Sequence, residues 1–223
     1  MVDSRGFMRA AHLKYWKMPG GDKAVSEPWR MVLSVLGEKG VKLIKGVKKE
    51  DKELVLSMIE KNINVPLTSS AGRLFDAAAA LLGVCTHASY EAEGPIKLEA
   101  ICAQGIDKSY NFEIKEGECT LIDTSGLFKG ICKDMEKGTE KEIIAAKFHN
   151  SMVEIILKAV SEISRQTGIK DIALSGGVFL NKYLRERVLK RLKNSNLRAY
   201  INNSSPVSDL NIALGQWWVV KHK

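Results

Sequence analysis

The stretch Asp171-Ile172-Ala173-Leu174-Ser175-Gly176-Gly177-Val178-Phe179-Leu180-Asn181 decides how this chain is read. Asp171 to Leu174 predicts a buried strand, Ser175-Gly176-Gly177 a tight loop, and Asn181 to Leu192 a helix. A strand, a Gly-Gly turn and a helix make a place where a phosphate can sit. Glycine lets the backbone come close, and the N–H groups at the helix start face an anion. Gly176, Gly177 and Asn181 are therefore candidate nucleotide contacts. Gly-Gly turns after strands are common, so on this stretch alone a plain turn is the simpler reading.

Working outward, Arg198 to Ile201 reads as a further strand and Ser208 to Val220 as a final helix. Thr139 to Thr167 reads as a long helix with a break near Asn150, capped by Gly168. Upstream, Tyr110 to Glu113 and Cys119 to Asp123 are short strands around a turn at Lys115-Glu116-Gly117. Glu91 to Ala103, the alanine-rich Arg73 to Leu82, and Lys49 to Lys61 are predicted helices. Glu27-Pro28-Trp29-Arg30 opens another helix, ended by Gly37 to Gly40. Residues 5 to 18 read as an extended entry, followed by a turn at Pro19-Gly20-Gly21-Asp22. Helices alternating with short strands favour an α/β architecture.

The chain has 223 residues, 45% hydrophobic and 27% charged, which excludes low-complexity and collagen-like classes. Its longest nearly apolar run, Ala77 to Val84, is far short of the ~20 residues that a bilayer needs. Asp3 and Arg5 are followed by no signal-peptide core, so no membrane is expected and the cytoplasm is the default compartment. Lys and Arg exceed Asp and Glu by 34 to 26, a net charge of +8. The surplus gathers in Lys39–Lys52 and Lys182–Arg198. These read as solvated helix faces, and without interleaved aromatics nucleic acid is not an expected partner. Cys85, Cys102, Cys119 and Cys132 lie too far apart for a zinc ribbon and read as small hydrophobes. His12, His87, His149 and His222 include no pair at helical ligand spacing.

Other candidates have equally plain readings. Asp76 sits in an apolar helix, one turn in, where a charge–dipole placement explains it as well as a functional role. Asp209 and Asn211 fit the start of the last helix. His149 could act as a base, although a lone helical histidine is usually structural.

Several motifs taken together are more specific. Pro19-Gly20-Gly21-Asp22-Lys23-Ala24 with Glu27-Pro28-Trp29-Arg30, and Thr68-Ser69-Ser70-Ala71-Gly72-Arg73-Leu74-Phe75-Asp76-Ala77, resemble signatures of the hydrogenase maturation carbamoyltransferase family HypF. Ser89-Tyr90-Glu91, Leu174 to Asn181, and Asp209 with Ile212-Ala213-Leu214-Gly215-Gln216 follow in the family's order. The resemblance covers nearly the whole chain. It implies the later part of a Kae-type carbamoyltransferase domain, related to the enzyme that makes threonylcarbamoyl-adenosine in tRNA. The implied fold is actin-like (RNase H-like), two-lobed and ATP-binding, with residues 1–30 a remnant of the first lobe and 31–223 the second.

The resemblance further implies that carbamoyl phosphate and ATP give a carbamoyl-adenylate, whose carbamoyl group passes to the C-terminal cysteine of a HypE-type partner in [NiFe]-hydrogenase maturation. ATP with Mg²⁺ is the implied cofactor, joined by a zinc or iron ion completed by histidines outside this chain. The implied nucleotide contacts are Gly72, Asp76, Gly176, Gly177 and Asn181. Gly21 and Asp22 are the implied substrate contacts, and Asp209 is the implied metal ligand. The family's two metal-binding histidines and its Asp-Gly-Thr-Gly-Tyr-Gly loop have no counterpart here. The expectation is thus a fragment, a split gene product or one half of a complex, with the missing first-lobe half as a partner. Ala92 stands where the family usually has glycine, and Lys97 where it often has glutamate. Two other readings remain: a tRNA-modifying relative with an actin-like fold, and a non-catalytic interaction module.

Overall fold

A computed structural model describes residues 1–3 and 6–221, which form two compact units, Met1–Ser151 and Met152–Lys223. Arg5 and His222 lie outside the described residues.

In the N-terminal unit the expected extended entry is divided. β1 (Val2–Asp3) pairs antiparallel with β2 (Gly6–Phe7), β3 is Ala11–Leu13, and β4 is Trp16–Lys17. α1 (Lys23–Ser26) leads into α2 (Trp29–Leu36). Gly37, at φ +55°, ends α2 as the sequence suggests. Gly40, expected in the same terminator, lies instead inside α3 (Glu38–Leu43), buried against Leu33 and the Val32 carbonyl. α4 (Lys49–Glu60) follows, then β5 (Leu67–Thr68), which pairs with β4.

α5 (Ala71–Leu81) is the central helix, buried at every residue from Leu74 to Leu81. Its alanine run gives it little girth, so α2 packs closely on it, as does α6 (Glu93–Ala100). β6 (Glu113–Lys115) and β7 (Thr120–Asp123) are antiparallel, and β3 lies parallel to β7 on its other edge. Lys115 is thus a strand residue, and the turn falls after it. α7 (Ser125–Glu136) occupies a stretch for which the sequence reading has no element. Gly126 and Gly130 mask it, since each costs about 1 kcal/mol in a helix interior. The signal was nevertheless present, because Leu127, Phe128, Ile131 and Cys132 keep helical spacing and are all buried. The glycines are required by packing: a Cβ on Gly130 would lie 2.3 Å from the Tyr110 ring.

α8 (Lys141–Thr167) is one helix with no break at Asn150. Asn150 instead uses its side chain outward, donating to the carbonyls of Ile106 (2.7 Å) and Lys108 (3.0 Å). The unit boundary falls within this helix. The N-terminal core closes with Phe148 edge-on to Phe75 at 5.0 Å and tilted against Phe128 at 6.4 Å.

The C-terminal unit is simpler. β8 (Asp171–Leu174) and β9 (Arg198–Ile201) are parallel neighbours joined through α9 (Lys182–Lys193). α9 buries Leu184, Val188 and Leu192 and turns its charged face outward. Arg198 forks onto Asp171 across the strand pair, with both contacts at 2.6 Å. The last helix begins later than expected: Asp209–Asn211 form one 3₁₀ turn, and α10 is Ile212–Lys221. Of the four cysteines, Cys85 and Cys132 are buried and Cys102 and Cys119 are half-buried; all are free thiols. No helix among the described residues is long and apolar enough to cross a membrane.

Candidate functional site

The predicted site residues fall into two sets, one in each unit. In the C-terminal unit β8 runs into Ser175-Gly176-Gly177, and a 3₁₀ turn over Gly177–Leu180 leads to α9. Gly176 sits at φ +104°, a conformation that suits glycine, and its N–H donates to the Val207 carbonyl at 2.7 Å. That bond ties the glycine loop to the segment just before Asp209. A Cβ at either Gly176 or Gly177 would meet nothing within 4 Å, so open space lies over both. Asn181 caps α9, its Oδ1 accepting from the Leu184 N–H at 2.8 Å. This capping role is one the glycine-loop reading did not anticipate. The opening and the helix start suit a nucleotide phosphate, which needs close backbone approach and N–H donors.

Asp209 is the first residue of the 3₁₀ turn, which Ser208 precedes without a side-chain capping bond, and the Asn211 amide donates to the Pro206 carbonyl. Among the described residues no three His, Cys, Asp or Glu side chains group as a metal site. One carboxylate supplies too few donors for a divalent or transition metal, so these residues by themselves do not fit one.

In the N-terminal unit the site forms where α5 and α6 begin. Asp76, for which a charge–dipole placement and a functional role are both open in the sequence, is 2% exposed. Arg73 Nη2 lies 2.8 Å from its Oδ2, an ion pair whose angles fall short of a hydrogen bond. Burial pushes the Asp76 carboxyl up to about 6, against the opposing pull of Arg73. A Cβ on Gly94 would stand 3.2 Å from Asp76 Oδ1, so α6 presses its first turn directly on this carboxylate. Gly72 lies in the first turn of α5, one turn before Asp76.

Glu93, which sequence reasoning missed, is buried beside this cluster. It accepts from the Ser89 N–H (2.6 Å) and hydroxyl (2.8 Å) and pairs with Lys97 at 2.5 Å. Lys97 first, and then the two Ser89 donors, hold its carboxyl down at about 2. The clue was the Ser89-Tyr90-Glu91 motif, whose serine turns out to serve Glu93 four residues on. Ala92 caps this helix at φ +62° in the left-handed region, which is why glycine suits the position.

The Gly20-Gly21-Asp22 turn lies at the entry to α1 in the same unit. Gly20 and Gly21 have φ of +86° and +57°. A Cβ on Gly20 would lie 3.1 Å from Arg30 Nη1, and Arg30 is anchored to Glu27 at 2.5 Å. The two sequence motifs therefore form one device, with Arg30 as the clamp under the glycine turn. His149 is fully buried, its Nδ1 2.8 Å from the Ala145 carbonyl and 3.2 Å from Cys102 Sγ, and its ring edge-on to Phe75. It is a packed core residue rather than an accessible base.

The α/β architecture, with a glycine loop between a parallel strand and a helix, is that of an actin-like domain, mainly its second lobe. The family profile described as "Carbamoyltransferase, Kae1-like Domain, second subdomain" matches residues 1–216, and the chain belongs to this HypF carbamoyltransferase family. It is 33% identical to the carbamoyltransferase HypF homolog of Cupriavidus necator, over 98% of this chain and 58% of that protein. It is 32% identical to the probable carbamoyltransferase HypF of Methanocaldococcus jannaschii, over 93% of this chain and 28% of that protein. A crystal structure of full-length HypF in the phosphate- and nucleotide-bound form superimposes with a TM-score of 0.93 at 33% identity, over 99% of this chain and 35% of that one. The chain thus spans between about a quarter and three-fifths of the length of these relatives.

Proposed function

We propose that this chain is the nucleotide-holding second lobe of a carbamoyltransferase that acts in hydrogenase maturation. It binds ATP with Mg²⁺, or the carbamoyl-adenylate made from it, for transfer of the carbamoyl group to the C-terminal cysteine of a HypE-type protein. The carrying observation is the glycine loop: space over Gly176 and Gly177, a left-handed Gly176 locked to Val207, and a capped helix start beyond. Family membership over nearly the whole chain supports the reading.

Each residue then has a role. Gly176 and Gly177 admit the phosphates against the backbone, and Asn181 fixes the helix whose N-terminal end faces them. Gly72 and Asp76 are proposed contacts to the nucleoside; a carboxyl with a pKa near 6 is poised to accept a hydrogen bond or release a proton near neutrality. Gly21 and Asp22, which follow the Gly20 that Arg30 underlies, are proposed to hold the carbamoyl substrate. Asp209 is proposed as one carboxylate of a metal site whose other ligands come from residues outside this chain, and no step is routed through that metal. On this reading residues 1–30 are what the chain keeps of the first lobe and 31–223 are the second, so turnover requires the remainder of that first lobe.

Isothermal titration with ATP and Mg²⁺ tests the reading. The wild-type chain should bind, and Gly177→Asp should weaken binding at least tenfold, because it sets a negative charge among phosphates. Gly177 lacks a positive φ and has open space around it, so that variant keeps its fold. Equal binding by the two proteins would sink the proposal.

A further inference from the structure

Arg30 is held on two sides. Its Nε donates to Glu27 Oε2 at 2.5 Å, and its guanidinium lies over the Trp29 ring at 5.0 Å. The side chain is 11% exposed, so one edge of it stays open. Nη1 and Nη2 donate to no described residue, and neither is sealed from solvent. Such an edge is a planar two-donor fork, fixed in place before any ligand arrives. Glycine borders it. A Cβ on Gly20 would stand 3.1 Å from Nη1, and one on Gly21 would meet only the Asn64 side chain, at 3.8 Å. Strand pairing brings Asn64 there. The β4–β5 ladder continues as the Met18 N–H donates to the Pro66 carbonyl and the Gly20 N–H to the Asn64 carbonyl, both at 2.8 Å. Asn64 is exposed at φ +49°, and its side-chain amide is committed to no other described residue.

Charge selects the ligand. Around the turn, Lys23 and Arg30 are balanced by Asp22 and Glu27. A site without net charge suits a monoanion better than a phosphate dianion, and a carboxylate matches a guanidinium fork in shape. A side-chain amide beside that fork, at once donor and acceptor, suits the peptide unit that precedes a terminal carboxylate. We propose that Arg30 and Asn64 hold the C-terminal carboxylate and the adjoining amide of the peptide that accepts the carbamoyl group. The proposal rests on the carbamoyltransferase reading, in which Gly21 and Asp22 hold the carbamoyl group, so that a terminal residue anchored at Arg30 presents its side chain beside them. It also gives a reason for a terminal acceptor: an internal cysteine has no α-carboxylate to offer the fork.

The test follows the Arg30 Nε–H signal by NMR in the isotope-labelled full chain, assigned through its loss in Arg30→Lys. The probe is the dipeptide N-acetyl-glycyl-cysteine with a free carboxylate, compared with its C-terminal amide and with inorganic phosphate. The free acid should shift the signal saturably, whereas the amide and phosphate should bind at least tenfold more weakly. Arg30→Lys keeps the charge but loses the fork, and should weaken binding of the acid at least tenfold by calorimetry. Asn64→Gly keeps the left-handed backbone and should weaken it about threefold, the loss of one modest hydrogen bond. Lys45→Ala, an exposed cation elsewhere, should bind as wild type. The acid–amide comparison uses the wild-type chain, so it decides the matter even if Arg30→Lys does not fold. Four results would overturn the proposal: no saturable shift, an amide that binds as tightly as the acid, phosphate binding as tightly as the acid, or Arg30→Lys binding the acid as wild type does. ATP titration of the same chain tests the nucleotide reading by itself. The acid can fail to bind while ATP binds the glycine loop, and ATP can fail while the acid still shifts Arg30.

Discussion

The two units differ in how far each satisfies itself. The N-terminal unit has 22 Lys and Arg against 21 Asp and Glu, and a core of fully buried Phe75, Phe128, Phe148, Leu74, Leu98 and Leu127. The C-terminal unit has 12 against 5, a net +7 of the chain's +8. Its core rests on Leu184, Val188 and Leu192 beneath a two-stranded sheet, while Leu180, Tyr200, Leu210 and all of α10 face solvent. The unit with the glycine loop is therefore the one with the larger charge surplus and the more exposed apolar side chains for its size. Binding elements are drawn from the less self-sufficient parts of folds because a saturated surface has nothing left to offer a ligand.

The largest effect that would sharpen this contrast is core truncation. Phe148→Ala should cost about 3–5 kcal/mol in urea unfolding, because it empties a site bounded by Phe75 and Phe128. A loss below 1 kcal/mol would mean that the N-terminal core is not the tighter one.

Next comes the buried carboxyl. The folded-state pKa of Asp76 is about 6 against an ordinary 3.8. The folded chain therefore holds that proton more tightly than the unfolded chain does. Its stabilising contribution is complete below about pH 4 and is lost as the pH rises through 6. Relative to Asp76→Asn, wild type should lose roughly 2–3 kcal/mol between pH 4 and 7. Parallel pH curves for the two proteins would show that Asp76 is not desolvated.

Asn181→Ala tests the other unit. Loss of the α9 cap should cost about 1 kcal/mol and lower the melting temperature without abolishing the fold. If nucleotide affinity fell while stability held, Asn181 would be a ligand contact rather than a cap. The smallest effect concerns Ala92. A left-handed alanine costs roughly 1–2 kcal/mol and glycine's greater unfolded entropy takes back part of that, so Ala92→Gly should stabilise by about 0.5–1 kcal/mol. Destabilisation would mean that the methyl group packs.

Much of the candidate site was legible in the sequence, since the glycine loop, the turn at Gly20 and Gly21, and Asp76 are local signals carried by backbone freedom and motif spacing. The partners of those residues were not. Arg30 under Gly20, Gly94 over Asp76, Ser89 on Glu93 and Val207 on Gly176 are meetings of segments distant or unpatterned in the chain. The missed helix α7 and the unbroken α8 have the same cause. Gly130 and Asn150 look like breakers locally, but Tyr110 fills the space that the one leaves and the 106–108 carbonyls occupy the amide of the other.

The sequence by itself determined the alternation of helix and strand, the family and the position of its glycine turns, because propensity, periodicity and the need for a positive φ act within a few residues. Only the tertiary structure decided that Asp76 is buried with a raised pKa, that Asn181 spends its carbonyl oxygen on a cap, and that α10 has no buried residue. Burial, hydrogen-bond saturation and surface coverage depend on what the rest of the chain brings to each place.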